Sequence, residues 1–232
     1  LYILADTFFI SKAVGSNGIT ALNLVLPVYN LIFAIGAMIG VGSAIRYVVE
    51  KNKGDTSSES YFFHALLWCI IISIIFILIG IFIPDRLVGL LGGDSAIINT
   101  GKNYTRIFML FTPFFMCNYV CNAFVRNDGA PKLSMIAVVS GGVLNVVLDI
   151  VFVFPCKMGM AGAAIASVLG SVLTTVILLF HFRSKSNGLH FSLKKFSPVF
   201  ITSIYKNGFT SFLVEVSSGI VMFVFNLQIL KY

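Results

Sequence analysis

The sequence predicts an all-α integral membrane protein, a polytopic helical bundle made of a six-helix N-terminal bundle and the first helix of a second bundle. Three observations carry that expectation. Of the 232 residues, 58% are hydrophobic and only 11% charged, where a soluble domain carries ~25% charged residues. Mean hydropathy is +0.97. The ionisable residues are also spaced so that charge-free gaps recur at the ~20 residues a spanning helix needs. One water-soluble core cannot hide so much apolar surface under so few charges.

The elements follow from those gaps in chain order. Leu1–Ser11 is apolar apart from Asp6; at ~1.5 Å per residue it covers about half of a ~30 Å hydrocarbon core, so it reads as the second half of a helix. Six full spans follow: Ala21–Ile45, Ser60–Pro84, Ile107–Val125, Leu133–Cys156 with Asp149 inside it, Met158–Phe182, and Asn207–Leu230 with Glu215 inside it. The short connections carry turn residues, as in Gly15-Ser16-Asn17-Gly18, Lys53-Gly54-Asp55, Gly92-Gly93-Asp94 and Asn127-Asp128-Gly129-Ala130-Pro131. The organisation expected is a first bundle over 1–183 with a truncated first helix, a linker over 184–206, and the first helix of a second bundle over 207–232. Within the linker, Lys194 and Lys195 beside Phe191, Phe196 and Phe200 suit either a helix in the headgroup layer or a plain loop.

Charge sets the topology. There are 16 Lys and Arg against 9 Asp and Glu, and the basic residues lie between apolar runs instead of forming the patch that nucleic acid requires. Assigned to alternate sides, Arg46, Lys51, Lys53, Arg126, Lys132, Arg183, Lys185, Lys194, Lys195 and Lys206 oppose Lys12, Arg86, Lys102, Arg106 and Lys157. The positive-inside rule then places the first set in the cytoplasm, together with the segment before Leu1 and the 184–206 connection of a plasma-membrane protein.

Tyr47, Tyr61, Tyr104 and Trp68, near run ends, are expected as interfacial anchors. Cys69, Cys117, Cys121 and Cys156 lack the clustering of a disulfide framework or zinc site and read as buried small hydrophobes. The spacings Gly36/Gly40 and Gly162/Ala166/Gly170 predict close helix packing, and Pro27 and Pro113 predict kinks. His64, His181 and His190 are far apart in sequence, and no catalytic motif is present, so an enzyme is not expected.

An Asp at a helix centre costs ~2.5–3.5 kcal/mol on insertion scales, so each acid at membrane depth needs a partner or a task. Asp6, Asp149 and Glu215 are such acids. Asn145 and Asp149, four apart, share a helical face on which the amide can donate to the carboxylate. The pair suits a hard cation or a proton; the alternative is a structural amide bonding a neighbouring helix. Glu215 sits in a polar notch with Ser217, Ser218 and Gly219 and reads as a coupling or cation-attracting group, or else as a packing contact.

The run Asn122-Ala123-Phe124-Val125-Arg126-Asn127-Asp128-Gly129-Ala130-Pro131-Lys132, then Gly142 to Asp149 with its Asn-x-x-x-Asp, then Gly159-Met160-Ala161-Gly162-Ala163-Ala164-Ile165-Ala166-Ser167 resembles the fourth to sixth helices of the multidrug and toxic compound extrusion (MATE) transporters. Leu4 to Ile10 is similar to that family's acidic first helix, and Gly36 to Arg46 with Lys53-Gly54-Asp55 to its second helix and turn. The resemblance implies two six-helix bundles around a central cavity and export of amphipathic, often cationic compounds in exchange for H⁺ or Na⁺, with no other cofactor.

It also implies a coupling site of Asp6, Asn145, Asp149 and Ser167, the last at a position usually Thr, with Na⁺ at the first three if sodium is the ion. Glu215 matches the acid of the seventh helix. An offset of 220 lays Leu1–Lys12 over Val221–Tyr232 and places Asn226 opposite Asp6. The partners expected are small cationic substrates, the bilayer, and a missing C-terminal bundle from the same longer chain or, as second choice, a homodimer. The alternatives are a lipid-linked saccharide flippase of the same superfamily and a non-transporting truncated half.

Overall fold

The computed structural model describes residues 2–54, 58–184, 187–189 and 198–229. Among these the secondary structure is helical: α1 (Tyr2–Ala13), α2 (Ser16–Asn52), α3 (Ser58–Phe82), α4 (Pro84–Leu90), α5 (Ser95–Leu110), α6 (Thr112–Asn127), α7 (Pro131–Val153), α8 (Gly159–Leu179) with a 3-10 turn at Phe180–Arg183, and α9 (Pro198–Ile229). Four helices among the described residues are long and apolar enough to cross a bilayer, and α5 with α6 forms a fifth span bent by 48°. Five of the gap-derived spans thus map onto α2, α3, the bent pair, α7 and α8, and the sixth, Asn207–Leu230, falls on α9, which is helical to Ile229 but is not among those five.

Three boundaries differ from the sequence expectation. The span read as Ile107–Val125 is the middle of a longer broken helix, because Arg106 and Lys102 lie on α5 without ending it. The break falls at Phe111, where Pro113 in the first turn of α6 has no N–H to donate back to the preceding turn. Pro27, by contrast, sits inside α2 without interrupting it. The last helix begins at Pro198, so residues 198–206 continue into α9 and are not linker; the suggested headgroup-layer helix at Phe191, Lys194, Lys195 and Phe196 lies outside the described residues.

Lipid offers apolar helices no hydrophobic reason to associate, so small residues that let backbones touch decide the packing. Helix α2 is the spine. On one face Gly36 and Gly40 admit α6: a methyl on Gly40 would stand 2.9 Å from the Tyr119 carbonyl oxygen. On another, Gly42 admits α9 and would meet the Ile204 carbonyl oxygen at 2.6 Å, while Gly208 on α9 lies directly against the backbone of Met38. Further along the same antiparallel seam, Gly219 packs on the Asn30 side chain. Gly162 plays this part between α8 and α7, against Phe152.

At the end where α2 stops and α9 begins, here named the basic end after its Lys and Arg residues, Tyr47 is buried and donates to Asp128. It is no interfacial anchor. Tyr104 is buried too, bonded to Asp6, and Tyr61 packs on Phe200. The Tyr47 and Tyr104 hydroxyls find protein partners inside the bundle, so these rings turn inward instead of to the headgroups. Cys69 and Cys121 are buried and Cys117 half-buried as free thiols, but Cys156 is exposed in the turn between α7 and α8.

The α2–α9 seam yields a direct test. Gly208→Ala pushes a methyl into the Met38 carbonyl and is expected to destabilise the detergent-solubilised protein by about 1–3 kcal/mol, the range for overpacking. Gly89→Ala on α4, where a methyl meets only the Ile98 side chain at 3.4 Å, is expected to leave the melting temperature unchanged.

Candidate functional site

Helix α1 ends its path inside the bundle against α7, α2 and α8, and this places Asp6 among polar groups from three other helices. Asp6 is 2% exposed, and Asn145 and Asp149 on α7 are fully buried. Asp6 Oδ2 accepts from the Tyr104 hydroxyl at 3.0 Å and from Ser167 Oγ at 3.1 Å. Asn145 Nδ2 donates to Ser167 Oγ at 3.2 Å and reaches Asp6 Oδ1 at 3.5 Å. The order is chemically consistent: the amide donates to the serine oxygen, and the serine hydroxyl donates onward to the carboxylate.

The predicted residues Asp6, Asn145, Asp149 and Ser167 therefore do converge, but not as the sequence pictured them. Asn145 turns its amide to α1 and α8 and leaves Asp149, its neighbour one turn along, without that bond. The i, i+4 spacing fixes a shared face, yet the stronger claim on the amide comes from Ser167 and Asp6. As a result Asp149 Oδ1, Asp149 Oδ2 and Asn145 Oδ1 are buried and accept no hydrogen bond among the described residues. A buried acceptor without a donor costs ~1–3 kcal/mol, more if charged. The Asp6 and Asp149 carboxyls are also close enough to interact, and two carboxylates sharing a dry site cannot both ionise without a positive charge between them.

This donor set is all oxygen: two carboxyls, an amide and hydroxyls. It fits a proton or a small hard cation and lacks the soft ligands of a transition-metal site. The three orphaned oxygens are the structural observation on which that fit rests.

Asp6, Tyr104 and Ser167 form one end of a cavity of about 680 Å³ that continues between α2, α6, α8 and α9 to Arg126 near the basic end. One wall is aromatic: Tyr29 stacks on Phe108 at 3.8 Å between ring centroids, Phe108 on Phe115 at 4.4 Å, and Phe33 meets Phe108 and Phe115 edge-on. The lining also has polar groups, Ser211, Glu215 and Ser218 of α9 and Asn118 and Asn122 of α6. Glu215 is thus part of the cavity but separate from the Asp6 cluster. The side chain of Asn226 lies outside the described residues.

Sequence reasoning missed Tyr104, assigned to the membrane surface, and the polar face of α6. Asn118 and Asn122 at i, i+4, continuing to Arg126, were a legible signal of a wetted helix face.

The matched positions of the MatE family's sequence pattern run from residue 1 to 151. The chain belongs to the MatE family. Among curated relatives, the Multidrug export protein MepA of Staphylococcus saprophyticus is 27% identical over 237 residues, covering all of this chain and 52% of the relative. MepA of Staphylococcus aureus is 26% identical over 236 residues with the same coverage. The chain spans about half the length of the curated relatives it matches. Among solved structures, an inward-facing multidrug resistance MATE family transporter of the MOP superfamily superposes with a TM-score of 0.88 at 26% identity, covering 96% of this chain and 51% of that one. An outward-facing form superposes at 0.82 with 26% identity, covering 96% and 50%. The fold is that of one half of a MATE transporter with the opening helix of the next.

Within this family member, Ser167 is the hydroxyl through which Asn145 and Asp6 are joined. Ser167→Ala removes the relay and leaves the Asn145 amide and an Asp6 oxygen short of a partner, with an expected loss of about 1–3 kcal/mol in stability. Ser167→Thr keeps the hydroxyl and is expected to stay near the parent in a thermal melt.

Proposed function

We propose that this chain is the N-terminal part of a multidrug exporter that expels amphipathic, cationic compounds in exchange for H⁺ or Na⁺, with Asp6, Asn145, Asp149 and Ser167 as its ion-coupling site. The observation that carries the reading is the set of three buried, unpartnered oxygens on Asp149 and Asn145 beside the bonded Asp6. A structural polar cluster in hydrocarbon would satisfy its acceptors. An ion-exchange site needs acceptors that only the ion completes.

The cavity supports the cargo half of the proposal. The aromatic lining offers stacking to flat apolar groups, and a cation gains from a ring face and from Glu215 in the same lining. The charges at depth are acids, which suit a cationic cargo and oppose the pyrophosphate of a lipid-linked saccharide. The names of the MepA relatives, multidrug export proteins, agree with this cargo class. With the basic end in the cytoplasm of a plasma-membrane protein, as the charge asymmetry implies, cargo would load from that side. Occupation of the Asp6–Asp149 site would favour one packing of the helices around it over another, and so bias access. The rest of the cavity belongs to a second bundle contributed by the longer chain.

The test is gradient-driven export of a cationic dye by the full-length protein in vesicles, with imposed proton and sodium gradients compared. Asp6→Asn and Asp149→Asn are each expected to lower the driven rate by about tenfold or more, since a coupling step loses its charge. Dye export that survives either substitution at the parent rate would remove that residue from the coupling role.

A further inference from the structure

A buried acid that the exporter reading does not use is Asp128, at the opposite end of the bundle from Asp6. It is 5% exposed and takes four donors from three segments. Tyr47 and Lys51 of α2 donate to Oδ1, each at 2.5 Å. On Oδ2, His181 of the 3-10 turn after α8 lies at 2.8 Å through Nε2, and the backbone N–H of Gly188 donates at 2.7 Å. Burial alone would push the Asp128 carboxyl up, but the Lys51 ammonium, the Tyr47 hydroxyl, the Gly188 N–H and the His181 ring together hold it below the usual carboxylate range. It is ionised at neutral pH.

Gly188 is not interchangeable at this point. A methyl there would collide with Lys51 Nζ and would stand 2.8 Å from Asp128 Oδ1 and 2.9 Å from the Tyr47 hydroxyl oxygen. The residues on either side lock the segment further: Asn187 Oδ1 accepts from the Leu189 N–H at 3.0 Å, and Leu189 is 2% exposed in the hydrophobic core. Three residues that follow the first bundle in sequence are therefore built into it.

We propose that Asp128 is the anchor of the strap between the two bundles, pinning residues 187–189 to the end of α2 whatever position α9 takes against the first bundle. The chain from Leu189 to Pro198 then reaches at most about 30 Å at ~3.3 Å per residue. Released back to Arg183, it would reach about 50 Å by the same measure. The anchor thus shortens the tether by more than a third and holds α9 close to the glycine seam on α2. The proposal takes from the exporter reading only what the strap joins; the pinning itself stands on the geometry of Asp128.

The experiment uses the full-length protein in liposomes with the exposed Cys156 replaced by Ser and Leu189→Cys as a reporter, labelled by a water-soluble maleimide. Leu189→Cys is expected to label slowly, at the same rate with and without an imposed ion gradient. Asp128→Asn, which removes the charge, and Gly188→Ala, which keeps every charge but fills the space the turn occupies, are each expected to speed labelling about tenfold or more, the factor that loss of a charge-assisted hydrogen bond implies. Native Cys69, buried in the bundle, is expected to stay unlabelled in both variants. Fast labelling in the parent, protection that persists in both variants, exposure of Leu189 by the gradient, or exposure of Cys69 together with Leu189 in both variants would each overturn the anchor. Dye export is recorded in parallel: its failure in the parent alongside the expected labelling pattern counts against the exporter reading and leaves the anchor standing.

Discussion

A carboxylate in hydrocarbon must find its donors within the protein, and the architecture of this bundle is arranged around how Asp6 does so. Asp6 draws a hydroxyl from α5, a hydroxyl from α8 and an amide from α7. Those bonds set the rotation of four helices about one point, since a helix that turned away would leave a buried polar group short of its partner. They also hold the described residues of α1 against the bundle. The place of α1 is secured by what it touches.

The apolar surface contributes differently. In water, burying the Ile, Val and Leu faces of α3 and α7 would drive assembly; in lipid those faces are already solvated, and they remain exposed on the outside of the bundle. What brings helices together is backbone proximity at small residues. Helix α2 shows the consequence, because glycines on two of its faces admit α6 and α9. The opening helix of the second bundle is thereby packed on the spine of the first along an antiparallel seam from Gly42–Gly208 to Asn30–Gly219.

Much of this was legible in the sequence. Charge spacing located the spans because the cost of burying Lys, Arg, Asp and Glu in hydrocarbon is large enough to govern where they occur. The same cost singled out Asp6, Asp149 and Glu215. What was not legible depends on helix rotation and on contacts between distant segments. The spacing of Asn145 and Asp149 guaranteed a common face but not which neighbour the amide prefers. Tyr47 and Tyr104 stand near the ends of apolar runs, where a tyrosine serves a headgroup or a buried acid equally well, and only the presence of Asp128 and Asp6 opposite them decides. Asp128 itself lay in an Asn-Asp-Gly-Ala-Pro turn and read as connection. The partners that make it a node, Lys51 and His181, are 77 and 53 residues away.

Asp128 and Asp149 carry the same functional group in one bundle and illustrate two ends of a single physical scale. Asp128 has two donors on each oxygen, one of them an ammonium. Any further proton or cation would have to displace a bond already made, so the group is fitted to hold structure and poorly fitted to exchange anything. Among the described residues Asp149 has no hydrogen-bond donor on either oxygen, and a second carboxyl is nearby. Its burial is tolerable only with a proton or cation in residence, and that occupant is held by the deficit it fills. Exchange requires that the occupied and vacated states differ modestly in free energy. A site completed by protein donors in both states would bind nothing, while one with no neighbouring donors would never let its ion go. The Ser167, Tyr104 and Asn145 bonds to Asp6 supply the intermediate case: they stabilise one carboxylate of the pair and leave the other to be completed from outside. The asymmetry between Asp6 and Asp149, more than the presence of either acid, is what the proposed coupling role rests on.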